Sequence, residues 1–277
     1  MQKLPLLVST PHSSGDVPAW IMAQMLETGE PETDLRRRLL GQGDPYTDLI
    51  FHLPEARLTL NAPGSRFVAD LNRDRDEGGE NGVIKLTDFD RKPFYCDGFV
   101  LSAEDREMRL SQYYDPYHRA LAAAFLGGGF QFFIDGHSMT AQGPSLGPDQ
   151  GKPRPAICLG NFGDPQGEPV SDPVSCAPDL ARQARSHLEA LLAELGLQSG
   201  GGDSQPGFPR GVLLNQPFDG GHILRKYSRA PYSVPGLMVE VNRDLYLDEA
   251  TLEPLPGRIG LLGMAMAGLA AFMMGKT

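Results

Sequence analysis

Short apolar segments alternate with longer helical patterns along most of the chain, and this alternation limits the fold more than any other feature of the sequence. The predicted strands are residues 6–10, 57–60, 130–134, 156–159, 212–214 and 237–241, with a further candidate at 66–71. The predicted helices are residues 20–26, 34–40, 103–126, 178–195 and 261–274. Apolar strands separated by helices are typical of a mostly parallel or mixed sheet covered on both faces. The sequence therefore predicts an α/β fold with three α/β/α layers.

Length and turn content bear on the domain organisation. The 277 residues contain no internal repeat and no sharp boundary, so we expect one domain over residues 1–277. Three segments do not fit the strand and helix pattern because they are rich in Gly, Pro or polar residues: 74–99, 140–154 and 198–209. The first two are too long for plain connections, and we expect them to shape the functional site. The third is predicted to be a surface loop.

Charge, cysteine content and terminal segments exclude several classes of protein. A net charge of −10 argues against a nucleic-acid-binding surface, which needs clustered basic residues. The three cysteines form no CxxC pair, which argues against a disulfide framework or a zinc knuckle. The N-terminal apolar run is too short for a signal peptide, and the uncharged stretch 259–274 is shorter than the ~18 residues of a spanning helix. We therefore expect a cytoplasmic protein without nucleic-acid or membrane partners.

Two histidines follow predicted strands. His12 comes just after strand 6–10, and His137 comes just after strand 130–134. Ligands of open α/β sheets bind at the carboxyl ends of strands, and a catalytic zinc keeps three protein ligands and one open position. The pair predicts a zinc site; the alternative is that each histidine only makes hydrogen bonds within its loop. Asp135 is placed to accept the second ring N–H of His137 and fix its tautomer.

A third ligand is expected from the segment that contains Asp44 and Asp48. If this segment is helical, the two carboxylates, four residues apart, share one side of the helix. Asp44 precedes Pro45, which suits the first helical turn, so Asp44 has a structural role available as the N-cap. Asp48 has no such capping role. We therefore predict Asp48 as the metal ligand and Asp44 as a supporting residue, with the reverse assignment left open.

Polar side chains that bind anions gather in one short segment. Arg66, Asn72 and Arg73 lie within eight residues. The planar fork of an arginine binds carboxylates bidentately and can also stabilise a developing oxyanion. The alternative is a set of surface ion pairs with the neighbouring carboxylates Asp70, Asp74 and Asp76.

Glu240 is a carboxylate inside the apolar run 237–241. A buried carboxylate is costly unless it is paired, and such residues are often functional. Glu240 is therefore a candidate general base; the alternative is a structural ion pair with Arg243. The histidines that fall in polar helical patterns are predicted to be surface residues: His52, His118 and His187.

Six motifs occur in a set order along the chain. They are Pro11-His12-Ser13, Asp44…Asp48-Leu49, Asp70-Leu71-Asn72-Arg73, Asp135-Gly136-His137-Ser138-Met139, Asn215-Gln216-Pro217-Phe218-Asp219-Gly220-Gly221 and Val239-Glu240-Val241-Asn242-Arg243-Asp244-Leu245-Tyr246. Each motif alone is weak, but the ordered set resembles the N-formylglutamate amidohydrolase family from about residue 6 to residue 246. That family is similar in fold to zinc carboxypeptidases and aspartoacylases, so the resemblance implies a phosphorylase/hydrolase-like mixed sheet with zinc at the strand ends.

The resemblance also implies roles for individual residues. His12, His137 and a carboxylate of the 44–48 segment would bind Zn²⁺, and Arg66 would polarise the scissile carbonyl. Glu240 would be the general base. The substrate would be held by Asn72, Arg73, Gly220 and Gly221. Two departures are visible: no His-x-x-Glu motif follows His12, and His222 stands where a bulky aromatic residue is expected.

The implied reaction is hydrolysis of a small acidic N-acyl amino acid. N-formyl-L-glutamate is the expected substrate, with formate and L-glutamate as products at the end of a histidine-degradation route. A zinc carboxypeptidase or another N-acyl amino acid deacylase is the alternative enzyme. The alternative that is not an enzyme is a metal-dependent carboxylate-binding module, which would hold an acidic ligand through Arg66 and Arg73 without turnover.

Overall fold

The computed structural model describes residues 3–197 and 211–276, so the surface loop predicted at 198–209 lies outside the described residues. The strands are β1 (Leu4–Thr10), β2 (Ala56–Asn61), β3 (Phe132–Met139), β4 (Ile157–Gly160), β5 (Val212–Leu214) and β6 (Gly236–Asn242). The helices are α1 (Ala19–Leu26), α2 (Glu32–Gly41), α3 (Thr47–Ile50), α4 (Ala103–Arg109), α5 (Asp115–Gly127), α6 (Pro178–Glu194), α7 (His222–Tyr227) and α8 (Arg258–Met274). A π-helical turn at Leu110–Tyr114 joins α4 to α5, and a 3-10 turn at Arg243–Leu245 follows β6.

The six strands form one mixed sheet in the order β2-β1-β3-β6-β4-β5. Strands β2, β1, β3 and β6 are parallel to one another, whereas β4 runs antiparallel to β6 and pairs in parallel with β5. The predicted mixed, mostly parallel sheet is thus confirmed. The candidate strand at 66–71 is wrong, because these residues form turns next to α1 and α2. The predicted helix 103–126 is confirmed in position but is interrupted by the π-helical turn.

Alternating side chains of the central strands reach two different cores. Phe132 and Ile134 of β3 face a core formed with α3, α6 and α8. Phe133, on the opposite face, joins a core formed with the π-helical turn, α5 and α7. Because side chains alternate along a strand, Asp135 and His137 lie on the same face as Phe133. The sheet therefore has helices on both faces, and the functional side chains are on the α5 and α7 face.

The last helix, α8, is part of the first of these two cores through Leu262, Met266 and Leu269. Its apolar character is thus explained by packing, as expected for a buried amphipathic or core helix. Among the described residues, no helix has the length and hydrophobicity needed to cross a membrane.

Candidate metal centre and active-site cavity

Three buried side chains converge at the carboxyl end of the sheet. His12 follows β1, Asp44 precedes α3, and His137 lies two residues before the end of β3. Their donor atoms all lie within 4.8 Å of one another. The Nδ1 atoms of His137 and His12 are 3.1 Å and 3.4 Å from Asp44 Oδ2. The fold therefore brings two imidazoles and one carboxylate, from three separate segments, to one point.

The outer ring nitrogen of each histidine faces a second carboxylate. His12 Nε2 lies 2.8 Å from Asp70 Oδ1, and His137 Nε2 lies 3.1 Å from Asp135 Oδ2. A carboxylate in this position fixes the tautomer and the ring orientation of a metal-binding histidine. Asp135 was predicted to accept this ring N–H of His137; it lies beside the ring, but its Oδ2 has no hydrogen-bond partner among the described residues. The sequence analysis considered Asp70 only as an ion-pair partner. Its position two residues before Asn72, in the same polar segment, could have identified it as a residue of the site.

The residues present fit a zinc ion. His12 Nδ1 is buried and has no hydrogen-bond partner in the described part of the chain, which is costly for a polar atom. This atom points to the same place as His137 Nδ1 and Asp44 Oδ2. Two histidines and one carboxylate are a ligand set that zinc uses in hydrolytic enzymes, with a further position left for substrate or water.

The position of the third carboxylate corrects the sequence prediction. Helix α3 begins at Thr47, after Tyr46 in the left-handed conformation (φ 64°), and no side chain caps it. Asp44 contributes its backbone carbonyl to this turn, accepting from Thr47 N at 3.3 Å. Its side chain is therefore free to reach the histidines. Asp48 is half-buried on α3 and does not belong to the cluster, so the preference for Asp48 over Asp44 is wrong.

Charges around Asp44 favour its ionised form. Burial acts to raise the pKa of Asp44, but the charges of His12 and His137 and the hydrogen bond from His137 outweigh it and hold the pKa well below its ordinary value. Arg243 Nη2 lies 3.6 Å from Asp44 Oδ1 on the other side. An ionised carboxylate is the form that binds a metal.

Glu240 lies next to His137 across the sheet. The two residues are register partners on β6 and β3, and both line the same cavity. No hydrogen bond or ion pair reaches the Glu240 carboxylate from the described residues, and Arg243 contacts Asp44, Ser138 and backbone carbonyls instead. The alternative of a Glu240–Arg243 ion pair is therefore wrong. Burial raises the pKa of Glu240 to about 7, opposed in part by the charge of His137.

Arg66, Asn72 and Arg73 all line this cavity. Arg66 donates through Nε and Nη2 to Asp70 Oδ2, at 3.2 and 2.8 Å. Arg66 therefore does form an ion pair with Asp70, which was the alternative to an anion-binding role. Its Nη1 lies 3.9 Å from Asp44 Oδ1. Arg73 donates to the backbone carbonyls of Asn72 and Asn81. Its Nε also lies 3.7 Å from Glu77 Oε1, and the side chain remains partly exposed at 24 %.

Asn72 connects the cavity wall to His137 and α7. Its Nδ2 lies 3.2 Å from His137 Nε2, and its Oδ1 accepts from Ile223 N at 2.8 Å. A Cβ on Gly221 would lie 2.2 Å from Asn72 Nδ2, so the close approach requires glycine there. Gly220 and Gly221, which were predicted to hold the substrate, line the cavity, and Gly221 also makes room for Asn72.

The cavity has a volume of about 630 Å³ and contains basic and apolar groups besides the histidines. The segment 140–154, which did not fit the predicted pattern of strands and helices, forms part of the cavity wall.

Arg154 at the end of this segment is buried, binds Asp149 through Nε and Nη2 at 2.8 Å, and lies over the Phe218 ring. The sequence analysis did not consider Arg154, and it considered Arg243 only as a possible partner of Glu240. Arg154 lies shortly before β4 and Arg243 directly follows β6, so their positions next to strands could have identified both as residues of the site.

The four histidines outside the cluster have different surroundings. His222 contacts Tyr114 and the ring of His118 and does not belong to the cavity lining found among the described residues. His118 is buried between Tyr227 OH (3.0 Å) and the Leu71 carbonyl (2.9 Å), and burial lowers its pKa to about 3. The prediction of a surface role for His118 is therefore wrong, whereas His52 is exposed. His187 is half-buried and stacks on the Phe272 ring of α8.

Comparison with known proteins gives consistent similarities. A family model described as N-formylglutamate amidohydrolase matches residues 4–247. A curated N-formylglutamate deformylase of Pseudomonas aeruginosa is 29% identical over 262 residues, which cover 89% of this chain and 84% of the relative. Another of the same name, from Pseudomonas putida, is 27% identical over 264 residues, with coverages of 89% and 83%.

Two solved structures are similar in fold. The N-formylglutamate amidohydrolase of Ralstonia eutropha JMP134 has a TM-score of 0.70 and 23% identity, with 100% of this chain and 96% of that chain covered. A gene product of Agrobacterium tumefaciens has a TM-score of 0.60 and 21% identity, with 99% and 90% covered. The chain thus has a fold already seen in solved structures.

Proposed function

The chain belongs to the N-formylglutamate amidohydrolase family, and from this membership we propose that it hydrolyses N-formyl-L-glutamate to formate and L-glutamate. The observation that carries the proposal is the buried cluster of His12, Asp44 and His137 with the unpaired Glu240 carboxylate beside it in one cavity. The curated relatives are named as deformylases of this substrate. A role at the end of histidine degradation follows from the same substrate.

Zinc is the proposed cofactor, held by His12, Asp44 and His137. A zinc ion in such a site supplies Lewis acidity and makes water a nucleophile near neutral pH. Asp70 and Asp135 hold the two rings with Nδ1 toward the cluster.

Glu240 is the proposed general base. Its carboxylate is free of partners in the described structure and lies on the strand next to His137. It takes a proton from the attacking water as the water oxygen bonds to the formyl carbon. It then passes the proton to the amide nitrogen as the C–N bond breaks, so that formate and the free amine leave. A pKa near neutrality suits a group that both takes and returns a proton.

Arg66, Asn72 and Arg73 are proposed to bind the substrate. Arg66 keeps Nη1 outside its pair with Asp70, and this N–H donates to the oxyanion that forms on the formyl carbon. Arg73 binds a substrate carboxylate, with the Asn72 amide beside it. The charges fit a small acidic N-acyl amino acid better than a neutral one.

The proposal is tested by metal analysis of the purified protein and a formate-release assay on N-formylglutamate. One zinc per chain and zinc-dependent release of formate are the expected results. Release of free amino acids from unblocked peptides would favour the carboxypeptidase alternative, and hydrolysis of other N-acyl amino acids in preference would favour a different deacylase. Binding of formylglutamate by the zinc-loaded protein without formate release would support a binding module.

A further inference from the structure

Asp70 is completely buried behind His12 and uses both of its oxygens. Oδ1 faces His12 Nε2 at 2.8 Å and accepts from the backbone N–H of Asn72 at 2.9 Å. Oδ2 accepts from two cations, Arg66 Nη2 at 2.8 Å and Lys85 Nζ at 2.6 Å. This one carboxylate therefore connects a histidine of the metal cluster to two positive side chains.

Lys85 approaches Asp70 from the segment 74–99, which forms no helix or strand. The side chain is 1 % exposed, and its second hydrogen bond is to the Gly82 carbonyl at 2.8 Å. Among the described residues it is not part of the cavity lining, so it is out of reach of a substrate there. Replacing a buried ion pair by apolar residues is often neutral or stabilising, so stability alone is a weak reason for a lysine at this position.

We propose that Lys85 is a positioning residue of the metal centre, which acts on His12 through Asp70. By holding Oδ2, it keeps Oδ1 directed at His12 Nε2, and the ring then presents Nδ1 to Asp44 and His137. This inference depends on the metal site of the proposed function. It also gives the long segment 74–99 a role, because that segment carries Lys85 to the back of the site.

Lys85 also affects what Arg66 can do. The two cations share Asp70 Oδ2, so Arg66 does not have to neutralise this buried carboxylate alone. With Lys85 removed, the full charge of Asp70 attracts Arg66 and turns the carboxylate toward it. The turned carboxylate no longer directs Oδ1 at His12 Nε2, and the expected consequence is weaker metal binding with the ligands themselves intact.

The experiment measures the zinc dissociation constant of the full chain by competition with a chromophoric chelator. Lys85→Met keeps the length of the side chain and removes its charge, and it should raise the dissociation constant about tenfold, the lower end for outer partners of a metal-binding histidine. Lys92→Met is the matched control, because Lys92 lies in the same segment, pairs with Glu30 at the surface and is 57 % exposed. It should leave zinc binding unchanged.

A double-mutant cycle tests whether the effect passes through Asp70. In an Asp70→Asn background, Lys85→Met should change the dissociation constant by less than about twofold, because the carboxylate it positions is gone. An undiminished effect in that background would overturn the proposal. If Lys85→Met does not fold, Lys85→Gln is measured in the same cycle.

The thermal midpoint of the zinc-free protein separates a positioning role from a merely structural one. If Lys85 is merely structural, Lys85→Met should lower this midpoint and leave the zinc dissociation constant unchanged. That result would overturn the inference. It would leave the proposed function intact, because the wild type would still bind zinc and release formate. A wild-type protein that binds no zinc would instead overturn the metal site of the proposed function, and this inference with it.

Discussion

Asp44 is the residue whose role depends most on local backbone geometry. The left-handed Tyr46 delays the start of α3 to Thr47, and the Asp44 side chain is thereby released to the two histidines. The sequence analysis placed both acids on one side of a helix and preferred Asp48, because Asp44 had an N-cap role available. The structure separates them, because only Asp44 lies before the helix.

Replacement of Asp44 should therefore remove a ligand, whereas replacement of Asp48 should not. Asp44→Asn is expected to weaken zinc binding by more than about a hundredfold, beyond the effect of outer residues. Asp48→Asn, the matched control, should stay close to the wild type. Chelator competition measures both, and stronger loss in Asp48→Asn would restore the sequence prediction.

Arg73 should contribute to substrate binding rather than to the chemical step. Its bond to a charged carboxylate is worth about 1.5–3 kcal/mol, so Arg73→Ala should raise KM roughly ten- to a hundredfold with little change in kcat. Arg75→Ala is the control, because Arg75 pairs with Glu107 and Asp115 instead. Steady-state kinetics with formylglutamate measure both variants, and an unchanged KM in Arg73→Ala would remove this residue from the site.

Glu240 should make the stability of the zinc-free protein depend on pH. Because burial raises its pKa from 4.5 to about 7, the folded state favours the neutral acid. Its stabilising effect is complete below pH 4.5 and is lost as pH rises through about 7, by an amount on the order of 3 kcal/mol. Glu240→Gln cannot ionise, so its stability relative to wild type should increase over this range and level off above it.

Urea unfolding of both proteins in the presence of a chelator measures this difference at each pH. A difference that does not vary with pH would show that Glu240 ionises normally in the folded state. In the zinc-loaded enzyme, the same variant should lose kcat by about 10²–10⁴, the usual contribution of a general base.

At the scale of elements, the functional groups come from segments that end or begin regular structure. β3 supplies Asp135 and His137 on one face, and β6 supplies Glu240 in register beside them. The N-terminus of α7 is tied to this wall through Asn72, whose side chain accepts from Ile223 N. The contact between Gly221 and Asn72 is therefore a junction between α7 and the metal centre.

Gly221→Ala tests that junction. Gly221 has a φ of −130°, so the backbone tolerates alanine and the clash is confined to the Asn72 amide. Displacing Asn72 should lower kcat/KM roughly ten- to a hundredfold. Gly78→Ala, where a Cβ meets no atom within 4 Å, should behave like the wild type. A fully active Gly221→Ala enzyme would mean that Asn72 can move without consequence.

At the scale of the whole molecule, the metal cluster joins three parts of the chain that are distant in sequence. His12, Asp44 and His137 follow β1, α2 and most of β3, and Arg243 after β6 holds the Gly41 and Gly43 carbonyls beside Asp44. A metal bound at this point favours the folded chain over the unfolded one. Its removal should therefore lower global stability.

The thermal midpoint should consequently rise with free zinc. At a free zinc concentration one hundred times the dissociation constant, the stabilisation is about 2.7 kcal/mol. For a chain of this size we expect a rise of roughly 5–10 °C over the chelated protein. Differential scanning calorimetry measures it, with Asp44→Asn as the control that should show little shift. An equal shift in that variant would place the bound zinc elsewhere.

The sequence by itself determined the α/β architecture, and it predicted most of the side chains that the structure brings together at the candidate site. Alternating apolar segments predict the strands, because buried parallel strands have no solvent-facing side to mark with polar residues. Polar residues at the strand ends then identified His12, His137, Asp135 and Glu240. The ordered motifs gave the family. The prediction of one domain over residues 1–277 stays a prediction.

Only the tertiary structure decided which partners these residues meet. The choice of Asp44 over Asp48 depends on one left-handed residue, and the pairing of Asp70 with His12 joins segments 58 residues apart. The burial of His118 and Lys85 depends on helices and loops that pack from elsewhere in the chain. The periodicity of apolar residues indicates which face of its own strand or helix a residue lies on. The contacts described here are made between different elements. They form only once the sheet has brought these segments together.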